Sequence, residues 1–274
     1  MIEPFLAHDL SAVDEAVRKA AAIEIMPRFR RLAEHEVDQK SGPHDLVTAA
    51  DRKAEEYLTA ELTRLLPGSA VVGEEAVHAD PTAYGALRED APVWIVDPVD
   101  GTRQFVHGDP AFCTLVALAH RGEILASWTF APALEEMATA VRGQGAYVNG
   151  VRVLSGSPEP GADLRVAIAH PLYTSEDDRR SLARLEVPGV APRPCGSAGL
   201  EYLRVARGEM DGLAFTWPSA WDHAAGLLLV AEAGGAQSTV DRVPFRVDRD
   251  NALPFAVGRD DATAVRIREL LRGE

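Results

Sequence analysis

Cysteine is scarce in this chain: only Cys113 and Cys195 occur among 274 residues. Two thiols cannot build a disulfide framework, and their settings read as one small buried hydrophobe and one loop thiol, which fits a reducing cytoplasm. Long apolar runs are missing as well. The run near residues 113–119 falls far short of the roughly 20 residues that span a bilayer, and no charged-then-apolar leader precedes Pro4. The expectation is a cytoplasmic protein with no membrane partner. Basic residues are in deficit, 28 Lys and Arg against 42 Asp and Glu, for a formal charge of −14. That balance argues against non-specific nucleic-acid binding, which depends on clustered cations over phosphates. Internal repeats and extended low-complexity segments are also lacking, and 46% apolar content suffices for one large core or two modest ones.

What the chain does have is acid placed at the ends of apolar runs. Trp94-Ile95-Val96 suits a buried strand, and it delivers Asp97-Pro98-Val99-Asp100-Gly101-Thr102. Pro98 biases Asp97 toward extended backbone and removes an amide donor, so the chain is expected to leave the sheet there. Asp97 and Asp100 then converge beyond the turn, where Gly101 permits close backbone approach and Thr102 adds a hydroxyl beside N–H groups. Two such carboxylates repel unless one takes a proton or a cation lies between them, and a hard divalent ion with oxygen ligands is the economical answer. Taken alone, D-x-x-D-G also occurs in surface turns and weak calcium loops.

Two other segments repeat the theme. Val71-Val72-Gly73-Glu74-Glu75 brings acids to the end of a β-branched run, and Trp221-Asp222-His223-Ala224-Ala225-Gly226 puts an acid at the start of an apolar helix. Each has a plain alternative: a solvated turn for the glutamates, and a helix N-cap for Asp222.

Taken together, these blocks resemble the inositol monophosphatase family of metal-dependent, lithium-sensitive phosphomonoesterases. The likeness rests on Gly73-Glu74-Glu75, on residues 94–102 and on residues 221–226. It extends upstream to Lys40…Asp45-Leu46-Val47-Thr48…Asp51, and downstream to Gly143-Gln144-Gly145-Ala146-Tyr147-Val148-Asn149-Gly150 and the loop Gly196-Ser197-Ala198, so it covers nearly the whole chain. The fold it implies is an α/β (α+β) layered α-β-α-β-α sandwich of the inositol monophosphatase and fructose-1,6-bisphosphatase type.

The pattern along the chain agrees with mixed α and β structure. Apolar spacing predicts helices over 10–36 and 51–66, with Asp51 opening the second. β-Branched runs over 112–153 predict antiparallel strands with a hairpin at Asn149-Gly150. A Pro/Gly-rich stretch at 157–161 marks the expected boundary between an N-terminal part, 1–156, and a C-terminal part, 157–274, that carries Asp222 and the loop at 196–198. Beyond it, the pattern predicts a strand over 164–169, helices over 175–185 and 197–207, and a strand near Leu213.

The resemblance further implies two or three Mg²⁺ ions. One is held by Glu74, Asp97 and the Val99 carbonyl, a second by Asp97, Asp100 and Asp222, and a weaker third by Glu74 with waters. Asp51 and Thr102 orient and deprotonate the attacking water, with Glu74 counted among the catalytic groups. The amides of Gly101 and Thr102 grip phosphate, Lys40 lies near it on a loop, and Gly196, Ser197 and Ala198 form a substrate loop. A homodimer is implied on the same basis. The position where inositol-cleaving relatives carry a polyol-binding glutamate is Phe215, which is either a ring stacking on the leaving group or a buried strand residue. The group expected to specify inositol is therefore missing, and Arg103, Gln104, Trp217 and His223 are candidates for recognising a different leaving group, such as a nucleoside, histidinol or another sugar phosphate. The substrate is a small phosphate ester, with histidinol phosphate or a 3′-phosphoadenosine-type nucleotide as alternatives to an inositol phosphate. A different class of function, a regulatory partner of the RNA machinery, stays open. It has little need for a full set of acids and water-orienting groups.

Overall fold

The structure, a computed structural model, describes residues 2–7, 10–40 and 46–274. In chain order the elements are α1 (Ile2–Leu6), α2 (Ser11–Ala20), β1 (Val37–Gln39), β2 (Leu46–Thr48), α3 (Ala49–Leu65), β3 (Ala70–Gly73), α4 (Glu74–Ala79), β4 (Val93–Asp100), α5 (Thr102–Val106), β5 (Cys113–His120), β6 (Glu123–Ala131), β7 (Glu136–Val141), β8 (Gly145–Val148) and β9 (Val151–Val153). There follow β10 (Leu164–Ile168), α6 (Glu176–Leu182), β11 (Val190–Pro194), α7 (Ala198–Ala206), β12 (Gly212–Phe215), α8 (Ala220–Glu232), β13 (Ala236–Thr239), β14 (Phe255–Gly258) and α9 (Asp261–Arg272).

The strands β3 to β9 form one sheet in sequence order, while β11-β10-β12-β14-β13 form a second of mixed direction. Alternation along β4 decides which layer each side chain joins. Trp94 and Val96 face α2 and α3, packing with Val17 and Leu58. Ile95 faces the other way, into a cluster with Leu203 of α7, Leu228 of α8, and Leu213 and Phe215 of the second sheet. On the far face of that sheet, Val166, Ala214 and Ala256 meet Leu182 from α6 and Ile267 and Leu271 from α9. The layers thus run α-β-α-β-α, as the resemblance implied. Each fully buried side chain of the Leu, Ile or Phe type contributes roughly 1.5–3 kcal/mol, so the central helices are held from both sides.

Three boundaries differ from the sequence reading. The helix expected over 10–36 ends in a π-turn, Ala21–Ile25, because Pro27 has no amide to continue the ladder and its ring obstructs the preceding turn. Asp51 does not open α3. Thr48 caps it, accepting the Ala50 amide at 3.1 Å, while Asp51 accepts the Thr48 amide at 2.8 Å from the third helical position. Nor does the chain leave the sheet at Pro98: β4 continues to Asp100 through a bulge. The Asn149-Gly150 hairpin is present between β8 and β9, with both residues at positive φ. Residues 41–45, within the upstream part of the family-like stretch, lie outside the described residues. Among the described residues no helix is long and apolar enough to cross a membrane.

Candidate active site

The bulge in β4 assembles the acids. Asp97 and Asp100 are three residues apart, and in an unbroken strand they would point to opposite faces. Asp97 pairs with Leu115 and Asp100 with Cys113, so β4 carries one residue more than β5 over that interval. Both carboxylates therefore reach the same side, where one oxygen each of Asp97, Asp100 and Asp222 lie within 4.8 Å of one another. Glu74 comes from the neighbouring strand end, since β3 runs parallel to β4 with Gly73 opposite Val96. Asp222 sits in the first turn of α8. The cap position there belongs to Ser219, so Asp222 is not the N-cap, and its Oδ2 accepts the Trp217 indole N–H at 3.0 Å.

The electrostatics of this cluster are unfavourable without added positive charge. Burial, then repulsion from Glu74, Asp100 and Asp222, holds Asp97 well above the usual carboxylate range. Burial with Asp100 and Glu74 does the same to Asp222. Burial raises Glu74 to about 7 even though Lys40 pulls the other way. Lys40 is the cation nearest to hand, and it is already engaged: its Nζ lies 2.6 Å from Glu74 Oε1 and 2.5 Å from Glu75 Oε1, with the side chain only 4% exposed. Burial works against that charge, but the two glutamates outweigh it and raise its pKa. Lys40 is thus a buried ion-pair partner rather than a solvated lysine. A set of carboxylate oxygens gathered this closely is the donor chemistry of a hard divalent cation, and the residues fit one.

Beside the acids stands a hydroxyl–carboxylate pair. Thr102 Oγ1 is 3.0 Å from the Val99 carbonyl and 3.3 Å from Asp51 Oδ1. Asp51 Oδ2 is held by the amide and the hydroxyl of Thr48, the latter at 2.5 Å, leaving Oδ1 to face Thr102. Burial raises Asp51 to about 6 against those hydrogen bonds. Gly101 caps the short helix α5 at φ +90°, and a Cβ there would press within 3.1 Å of the Ala111 carbonyl and of Ser197. Only glycine fits that corner.

The loop 196–198 does something other than expected. Ser197 is buried, and its hydroxyl donates to Asp100 Oδ2 at 2.6 Å while accepting the Leu200 amide at 3.3 Å as the cap of α7. The amides of Ala198 and Gly199 donate to the same carboxylate at 3.1 and 2.7 Å, and the Cys113 thiol at 3.4 Å. Ser197 therefore fixes Asp100 and does not face the cleft, whereas Gly196 and Ala198 line it. Phe215 is also absent from the cleft. It is fully buried against Tyr202, Trp217 and Phe255, so the buried-strand alternative holds and a stacking role does not. His223 packs beside it, donating from Nε2 to the Trp217 carbonyl and accepting the Tyr202 hydroxyl at Nδ1. Burial depresses it to about 3, which keeps it neutral.

Sequence reasoning passed over Glu55. Its buried carboxylate accepts the Glu75 and Ala76 amides at 2.8 Å each, capping α4 and setting the direction of Glu74. A Cβ on Gly73 would run into that carboxylate, which explains the glycine before the two glutamates. The available signal was its spacing, one helical turn after Asp51 on α3.

The acids open on a cleft of about 580 Å³ that Lys40, Glu74, Asp100, Gly101, Thr102 and Asp222 help to line. Residues 7–264 match the model of the inositol monophosphatase family. The chain belongs to the inositol monophosphatase family. Members of that family are phosphatases that hydrolyse phosphate monoesters. The chain is 40% identical over 207 residues to the inositol-1-monophosphatase of Mesorhizobium japonicum, covering 73% of this chain and 74% of that protein. It is 33% identical over 231 residues to the Nus factor SuhB of Pseudomonas aeruginosa, covering 81% and 82%. Among solved structures, the extragenic suppressor protein SuhB of Bartonella henselae superposes with a TM-score of 0.81 at 28% identity, covering 96% of this chain and 98% of that one.

Proposed function

We propose that this inositol monophosphatase family protein hydrolyses a small phosphate monoester with the help of divalent cations, magnesium first, held by Glu74, Asp97, Asp100, Asp222 and the Val99 carbonyl. The observation that carries the reading is the convergence of three carboxylates, Asp97, Asp100 and Asp222, within 4.8 Å of one another, while Lys40 pairs with Glu74 and Glu75 and with none of the three. Asp97, Asp100 and Asp222 would hold the principal cations, and Glu74 would contribute to holding a further one. When bound, such ions supply Lewis acidity toward phosphate oxygens and toward water.

The chain's own groups do the rest. Thr102 Oγ1 has one proton to donate, and when it points to Asp51 its lone pairs are free to orient a water for attack on phosphorus. Asp51, with a pKa of about 6, is largely ionised at neutral pH and receives the proton that the water gives up. The N–H groups at the start of α5, beside Gly101, face phosphate oxygens. Aliphatic and aromatic side chains such as Val77 and Trp221 limit water around the ester.

Substrate choice departs from inositol in this reading, because the polyol-binding glutamate is replaced by Phe215 in the core. The likeness to a Nus factor keeps a regulatory role in view, but a binding protein does not need the Asp51–Thr102 pair. A homodimer, cytoplasmic location and lithium inhibition belong to the same proposal. The test is phosphate release from inositol, histidinol, sugar and nucleotide monophosphates with magnesium and with chelator. Magnesium-dependent release from at least one supports the reading; silence across the panel with magnesium bound overturns it.

A further inference from the structure

The cations along the cleft are not equally engaged. Lys40 is tied to Glu74 and Glu75. Arg103 also lines the cleft, one residue past Thr102 on α5, and makes no ion pair or side-chain hydrogen bond with any described residue. A guanidinium with no carboxylate partner is notable in a chain of net charge −14.

Its surroundings reinforce the point. The acids lining the cleft are Asp100 and Asp222, both in the carboxylate cluster, and Glu74, which is paired with Lys40. The outer wall, among the described residues, contributes Gln104, His78, His170 and Ser219, and no carboxylate. These neutral groups put no fixed negative charge in the way of an anion, which needs donors and positive charge. Gln104 is held against the loop, since a Cβ on Gly196 would come within 2.9 Å of its amide nitrogen. Trp221 is braced edge-on by Tyr84 at 5.8 Å, and the Tyr84 hydroxyl is fixed by accepting the Ala220 amide at 3.1 Å. Such a braced, low-dielectric wall strengthens a charge interaction made next to it.

Resting on the phosphatase reading above, we infer that Arg103 selects esters whose leaving group carries a second anionic group, phosphate or carboxylate. Its fork of N–H groups matches either one in bidentate fashion, a geometry lysine does not reproduce. The ester phosphate binds at the acids and the α5 amides, and the second anion lies toward the cleft mouth against Arg103. Without Arg103 that anion would meet a strongly negative protein.

Matched pairs test this, each pair differing by one anionic group: glucose 1-phosphate with glucose 1,6-bisphosphate, and glycerol 2-phosphate with 2-phosphoglycerate. The member with the second anion should show kcat/KM higher by about tenfold or more, the gain carried mainly by KM and shrinking with added salt. The phosphate and carboxylate pairs separate the two sources of the anion. In Arg103→Met the gain should collapse, and Arg103→Lys should recover only part of it, while a remote exposed change, Arg64→Gln, leaves it intact. Equal kcat/KM within both pairs, or a gain that survives in a folded Arg103→Met, overturns the inference. If that variant does not fold, the wild-type pairs and their salt dependence decide alone. Hydrolysis of the singly anionic esters without any gain sinks this inference but not the phosphatase reading; no hydrolysis of any ester with magnesium, p-nitrophenyl phosphate included, sinks both.

Discussion

Ser197 holds Asp100 by a 2.6 Å hydrogen bond while capping the helix that follows it. One hydroxyl therefore links the stability of α7 to the aim of a carboxylate at the cleft floor. Ser197→Ala should lower stability by about 0.5–2 kcal/mol through the lost cap, read as a lower urea midpoint. It should also raise the magnesium concentration needed for half-maximal activity several-fold, because Asp100 gains rotational freedom. Ser197→Thr, which keeps the hydroxyl, should restore most of both. A variant that loses stability but keeps its magnesium requirement would reduce Ser197 to a helix cap.

Asp97 is the acid most exposed to its neighbours' charge, with Glu74, Asp100 and Asp222 all raising its pKa after burial itself. Asp97→Asn removes that repulsion and, under the proposed function, a cation ligand. Activity should fall by at least about a hundredfold, since the cations it helps hold contribute several kcal/mol to the transition state. The thermal midpoint in chelator should stay level or rise. Near-wild-type turnover at limiting magnesium would rule out the site as drawn.

Much of this arrangement was legible in the sequence because acids at the ends of apolar runs leave a pattern in one dimension. Gly73-Glu74-Glu75, Asp97 to Thr102 and Asp222 could be read that way, as could the layered fold through the family resemblance. What escaped reading was set by three-dimensional approach. The bulge that turns Asp97 and Asp100 to one side depends on β5 pairing, which no local pattern encodes. Glu55 and Ser197 look like a helix-surface acid and a loop serine until Gly73 and Asp100 are placed against them. The glycine of residues 221–226 reads as part of a site motif, yet it is explained by packing: a Cβ on Gly226 would run into the Tyr202 ring.

Asp51 and Thr102 make a prediction about pH. With Asp51 titrating at about 6, kcat should fall on the acid side as that carboxylate takes up a proton. Bound cations near the cleft will draw this value down, so the acid limb should lie at or below that pH. Asp51→Asn should cut kcat by about 10²–10⁴ and abolish the acid limb, with a smaller change in KM. Thr102→Val should also lower kcat while leaving the limb in place. An unchanged acid limb in Asp51→Asn would assign the proton transfer to another group.

Stability without metal should decline above neutral pH, and magnesium should reverse the decline. Glu74 ionises at about 7 in the folded protein against 4.5 for an ordinary glutamate, and Asp97 and Asp222 sit well above 3.8. Between the unfolded and folded values the native state binds more protons. The stability these groups contribute is complete below the unfolded values and is lost as pH rises through the folded ones. His223 acts in the opposite sense: neutral in the fold with a pKa of about 3, it contributes stability that is fully present above its ordinary 6.5. From pH 7 to 8.5 His223 has no further effect, so the carboxylates govern the trend. In chelator the thermal midpoint should therefore drop over that range. Magnesium binds the ionised acids and competes with protons, so the rise it causes should be larger at pH 8.5 than at pH 6. Asp97→Asn should flatten both responses. A metal-free midpoint that climbs from pH 7 to 8.5, together with a magnesium effect independent of pH, would mean these acids are neither as crowded nor as cation-seeking as their packing requires.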